Sequence, residues 1–139
     1  MKAWHLLIIL IALILLAGQI YRQATSLPRQ FLIDRDEVVR IQAAPYGEVG
    51  TEPLVIQGEE EAEAIIRAYN QGTNYRESLW GRRPRLEVSI ELENGETFRI
   101  RDYSPQVFWV TVERQGASHE FRISSRPLGR EFNRLAEKF

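Results

Sequence analysis

Catalysis needs nucleophiles, acids and bases or metal ligands held at fixed spacing, and this chain of 139 residues supplies those types unevenly: nineteen Asp and Glu, two His and no Cys. With no thiolate available and His5 set inside an apolar run, a transition-metal centre has too few donors. His119 shares strand parity with Phe121 and Ile123, the pattern of a hairpin-end side chain leaning on the core. There is no G-x-S-x-G around a serine, no G-x-x-x-x-G-K phosphate cradle and no G-x-G-x-x-G, so no catalytic residue, metal or cofactor is expected.

The carboxylates have a simple explanation. Glu87, Glu91 and Glu93 alternate with Leu86, Val88, Ile90 and Leu92, which puts them on the wet face of a strand. Glu59 to Glu63 lacks the Asp/Asn spacing and the glycine of a calcium loop, and it suits the positive end of a helix. The segment richer in charge and aromatics than a connection requires runs from Tyr75 to Arg85. Its Tyr75, Trp80, Arg82, Arg83 and Arg85, with Arg76 among them, are of the types that dominate interaction hot spots. They form the candidate binding set, for a protein partner or for an anionic surface such as lipid headgroups or a cell-wall polymer. The competing reading folds Trp80 back on the sheet and pairs the arginines with strand glutamates.

The secondary structure around these residues can be read from periodicity. Asp36 to Ala43 places Val39, Ile41 and Ala43 on one face and Pro53 to Gln57 is a short apolar run, which predicts a hairpin turning at Pro45 to Gly50. Ala62, Ile65, Ile66 and Tyr69 form one stripe of a helix over Glu59 to Gln71, with Gly72 placed to close it in the left-handed conformation. Residues 73 to 85 read as a loop. The strands Leu86–Leu92 and Thr97–Arg101 are joined at Asn94-Gly95, the preferred dipeptide of a type I′ turn. Val107 to Glu113 is apolar on both sides, which predicts a central strand covered on each face with Trp109 in the core, and Gln115-Gly116-Ala117 turns it into Ser118–Ile123. Ser124 or Ser125 caps a last helix carrying Leu128, Phe132, Leu135 and Phe139. The order ββαβββ(β)α predicts an α+β domain, an antiparallel sheet with two helices packed on one face.

The first residues obey a different rule. Ala3 to Tyr21 contains no charged side chain in nineteen residues, and as a helix it spans roughly 28 Å, close to the thickness of a bilayer's hydrocarbon core. Trp4 and Tyr21 lie where aromatic rings meet the two headgroup layers. A cleavable signal peptide shares the basic start at Lys2, but the small residues of a cleavage site are missing: Ala17 has Leu15 two before it, Gly18 has Leu16 and Ala24 has Arg22. Leu16-Ala17-Gly18 resembles the start of a lipobox, with Gln19 in place of the lipidated cysteine. An uncleaved signal anchor over residues 1–22, a juxtamembrane linker over 23–30 and a domain over 31–139 are therefore expected. The short N-terminal tail with Lys2 suits a cytoplasmic N-terminus and an extracytoplasmic domain. Basic and acidic residues nearly balance, 18 against 19, and no nucleic-acid partner is expected. The domain itself holds 15 bases and all 19 acids, and its residues 31–63 carry nine of those acids against Arg35 and Arg40.

The succession of two strands, a Glu-rich helix ending in Ala68-Tyr69-Asn70, a loop to a proline, the Glu91-Leu92-Glu93-Asn94-Gly95-Glu96-Thr97-Phe98 hairpin and a strand containing Trp109-Val110 resembles the YhfM-like domain of Gram-positive envelope proteins. The resemblance covers roughly residues 35 to 138. It implies a small α+β domain displayed outside the cytoplasmic membrane, and it brings no catalytic residue. Together these features lead to an expected single-pass envelope protein whose ectodomain is a non-enzymatic binding module. The alternative is an envelope hydrolase whose carboxylates or His119 are gathered only by the fold.

Overall fold

A computed structural model describes residues 2–76 and 81–139. Leucine, isoleucine and alanine dominate the first helix, α1 (Ala3–Thr25), whose residues Ala3–Tyr21 are long and apolar enough to cross a membrane. None of that stretch is buried by the rest of the chain. The helix continues past the apolar run, and Ser26 at once pairs with Thr73 in an antiparallel bridge. Leu27 is buried, and Phe31 stacks on Phe121 with ring centroids 4.4 Å apart. The residues expected to be a linker thus include a stretch held against the domain.

The domain is α+β, and its described residues form seven strands and two helices: β1 (Val38–Pro45), β2 (Leu54–Val55), α2 (Glu59–Asn70), β3 (Thr73–Asn74), β4 (Leu86–Leu92), β5 (Thr97–Ser104), β6 (Val107–Arg114), β7 (Ala117–Ser124) and α3 (Arg126–Ala136). The strands pair antiparallel in the order β2-β1-β4-β5-β6-β7-β3. Thr73–Asn74, expected to begin a loop, instead forms the edge strand beside β7, because α2 runs back along the sheet and delivers the chain to that edge. The alternation in β4 is fully realised: Leu86, Val88, Ile90 and Leu92 are buried. So are Ile65, Ile66 and Tyr69 of α2 and Leu128, Phe132 and Leu135 of α3. Fully burying such a side chain contributes about 1.5–3 kcal/mol, which is why this one core between sheet and helices dominates the domain's stability. Ser125 caps α3 by accepting from the Leu128 N–H and donates to the Ala68 carbonyl at 2.7 Å, tying the two helices together.

Several local expectations change. Val39 is 63% exposed, since a bulge between Val38 and Arg40 interrupts the alternation that put it inward. Gly95 alone has a positive φ in its hairpin, while Gln115 and Gly116 at the next turn are both positive, so the two-residue type I′ geometry belongs to the second hairpin and not the first. Gly72 is not left-handed; a Cβ there would sit 3.0 Å from the Ile123 Cδ1, so close packing of helix against sheet explains the glycine. Phe139 lies beyond α3 and is half exposed. The side of β6 turned from the helices carries Trp109, which is only partly buried and faces away from the core.

Tyr69 shows what the core demands of a polar atom. Its hydroxyl donates to the Phe31 carbonyl at 2.8 Å, and burial pushes its ionisation well above the ordinary value of 10.0, with Arg114 opposing weakly. Below about pH 10 the hydroxyl keeps its proton in folded and unfolded chains alike. Above that the unfolded chain loses the proton first, so stability falls by up to about 1.4 kcal/mol per pH unit. Urea melts at pH 8 and pH 11 should therefore show a steeper alkaline loss in the parent than in Tyr69→Phe. At pH 8 the variant should be weaker by about 1 kcal/mol, because the Phe31 carbonyl loses its donor.

Candidate interaction surface

In β5, Phe98, Ile100 and Asp102 share the inward parity, which carries a carboxylate to a position that is 1% exposed. Its partners explain why it stays there. Oδ1 accepts from the backbone N–H groups of Arg85 (2.8 Å) and Leu86 (2.9 Å), and Oδ2 accepts from Arg85 Nε (3.0 Å) and Arg82 Nη2 (3.4 Å). Arg85 also reaches Asn133 of α3 at 3.0 Å. Asp102 therefore fastens the end of the 75–85 segment to the sheet and to a helix. A carboxylate saturated with four donors is a structural clamp, in which removing the acid strands two buried N–H groups and two cations.

The sheet face away from the helices is organised by Arg101. Its Nε donates to Glu87 at 2.7 Å and its Nη1 to Thr111 at 3.3 Å, while the guanidinium lies 4.7 Å from the Trp109 ring centroid and 5.8 Å from that of Tyr46. The register sets this up, since Glu87, Arg101, Trp109 and Arg122 are successive cross-strand partners on β4, β5, β6 and β7. A bulge between Asp102 and Ser104 inserts Tyr103 as an extra residue, and Gly81 packs so closely on its ring that any side chain at 81 would collide with it. Tyr103, Trp109, Glu120 and Arg122 line a shallow depression of about 360 Å³. Arg40 and Glu91 form a further ion pair on this face at 2.8 Å. The result is an open layer of guanidinium groups, carboxylates and aromatic rings, suited to stacking and ion pairing with a flat or charged partner.

The residues singled out from sequence divide into groups. Arg82 and Arg85 belong to the Asp102 clamp, so the expected pairing of arginines with strand glutamates is replaced by pairing with one buried aspartate. Arg83 is exposed and lies over Gly47, whose missing Cβ leaves it room. Tyr75 is half buried and held by its backbone N–H to the Arg122 carbonyl at 2.9 Å. Trp80 lies outside the described residues. Trp4 and Tyr21 stand exposed near the two ends of the apolar stretch, Trp4 stacked on His5. His119 is exposed with its ring 6.3 Å from Phe31, and among the described residues no cluster of three or more His, Asp or Glu could hold a metal. Asp102 and Arg101 were missed by sequence reasoning. An acid at core parity after Phe98 and Ile100 was the available signal for the first; the second depends on register.

Replacing Asp102 with Ala should lower the midpoint of a urea melt, at a cost of about 3–5 kcal/mol, by leaving buried groups unpaired. Asp102→Asn keeps one oxygen for the two backbone donors and should cost about half as much. Equal stability of the Ala variant and the parent would show that the clamp is dispensable.

Compared with protein-family models, with curated proteins and with solved structures, the chain gives no match.

Proposed function

We propose that this chain is a single-pass membrane protein whose α+β domain lies outside the cytoplasm and serves as a non-catalytic binding module for another envelope protein or an anionic cell-wall polymer. The observation that carries the reading is the α1 surface: from Trp4 to Tyr21 its large apolar side chains are about half exposed or more on every side, and the domain covers none of that stretch. Leaving that much apolar surface in water costs about 25 cal/mol per Å², so a bilayer is the natural surrounding. The open Arg101–Trp109 layer supports the binding role, because a sheet face decorated with arginine and aromatic rings has the composition of an interface. The resemblance to YhfM-like envelope domains points the same way.

The test is a fusion, after Phe139, of a reporter active only outside the cytoplasm, assayed with fractionation. Reporter activity in the membrane pellet at full length is the expected result. An inactive reporter would reverse the orientation, and active but soluble fusion would make the apolar segment a removed signal.

A further inference from the structure

The register places the exit of α1 and the basic loop at one end of the sheet. Ser26 pairs with Thr73, Thr73 with Ser124, Ser124 with Val107 and Val107 with Ser104. Asp102, two residues before Ser104, holds Arg82 and Arg85, and the Tyr75 backbone N–H donates to the Arg122 carbonyl, so the described residues at either end of the 75–85 segment lie along this line. Gathered there are Arg76, Arg82, Arg83, Arg85, Arg122 and Arg126. The acids at this end are Glu48 and Glu52 of the loop that follows Pro45, which pairs with Leu86, together with Asp102, buried in its clamp on Arg82 and Arg85, and Glu87, bound to Arg101. Residues 64–86 hold one further acid in sequence, Glu77, and the arginines remain in excess. At the opposite end, marked by the Val38–Leu92 pair, the Gln115-Gly116 turn and the start of α2, stand Glu37, Glu59, Glu60, Glu61, Glu93 and Glu96 against Arg35, Arg114 and Lys138. The domain is electrically polarised along its strands, and its positive end is the one joined to α1.

We infer that this positive end docks on anionic lipid headgroups of the membrane that α1 enters, holding the domain against the bilayer. The inference rests on the reading of α1 as a membrane span. Arg76, Arg83 and Arg126 are exposed and form no ion pair among the described residues, so they are available to phosphate oxygens. Distance favours them. Ser26 is five residues beyond Tyr21, roughly 7 Å of helix. Arg76 is three residues from Thr73 and Arg126 two from Ser124, at most about 10 Å and 7 Å of chain. These reaches are comparable to the ~10 Å over which a charge senses a membrane surface in salt.

The chain has no cysteine, so one can be introduced by Gln106→Cys at the positive end, or by Ser118→Cys at the opposite end as a control, and labelled with a fluorophore. The full chain is reconstituted in vesicles carrying a headgroup-attached quencher. On passing from zwitterionic lipid to about 30% anionic lipid, quenching at position 106 should rise roughly threefold while that at 118 stays put. The combined variant R76Q/R83Q/R126Q should abolish the rise with an unchanged thermal melt, and R76K/R83K/R126K should retain it. Equal quenching in both lipids, or a rise that survives the glutamine variant, would overturn the docking. So would a response at 106 to soluble polyglycerol phosphate with none to anionic lipid, which would give the arginine end to a wall polymer. Failure of the full chain to float with vesicles of either composition would instead sink the membrane-span reading, and the docking with it.

Discussion

A sleeve of leucine and isoleucine left uncovered by its own chain sets the terms for this protein. Between Ala3 and Tyr21 the side chains offer no polar face that could lie against water, so the segment has to be enclosed by lipid or by other protein. A bilayer meets that demand at the right length. The connection beyond the sleeve is short: after Thr25 the chain is captured at the sheet edge by the Ser26–Thr73 bridge and then buried at Leu27. A domain joined to its apolar helix in this way has little freedom to drift from whatever encloses that helix, and which of its ends carries which charge becomes a physical question.

The domain answers it through two polar devices on opposite sides of one strand. Inward, Asp102 gathers two backbone donors and two guanidinium groups and so fixes where the arginine-rich segment rejoins the sheet. Outward, Arg101 holds Glu87 and lies over Trp109, filling a face turned away from the helices. Both are ionic interactions whose net contribution to stability is small beside that of the core, yet each fixes geometry: the first sets the loop, the second the composition of the exposed surface.

Much of the fold was legible from periodicity. The stripes of α2 and α3, the β4 alternation and the final serine cap are local patterns, each settled by residues within one or two turns of each other, and the α+β class follows from their order. The features that could not be read are non-local. Thr73–Asn74 is a strand only because α2 delivers it beside β7, and Val39 and Tyr103 take their faces from bulges that the alternation alone does not announce. Trp109 in an apolar run looked like core, but its face is covered by a neighbour's guanidinium. The candidate site was half legible for the same reason: arginine and aromatic content marked the 75–85 segment, whereas Asp102, which holds two of those arginines, became visible only with the register.

The decisive measurement is the intact mass of the protein extracted from alkaline-washed membranes of cells that make the full chain. A mass of 16.2 kDa in the washed membrane fraction is the outcome required by an uncleaved anchor whose apolar sleeve lies in lipid. A shorter, soluble form lacking the apolar segment would contradict it, and would remove the physical reason for the domain's positive end to face a membrane at all.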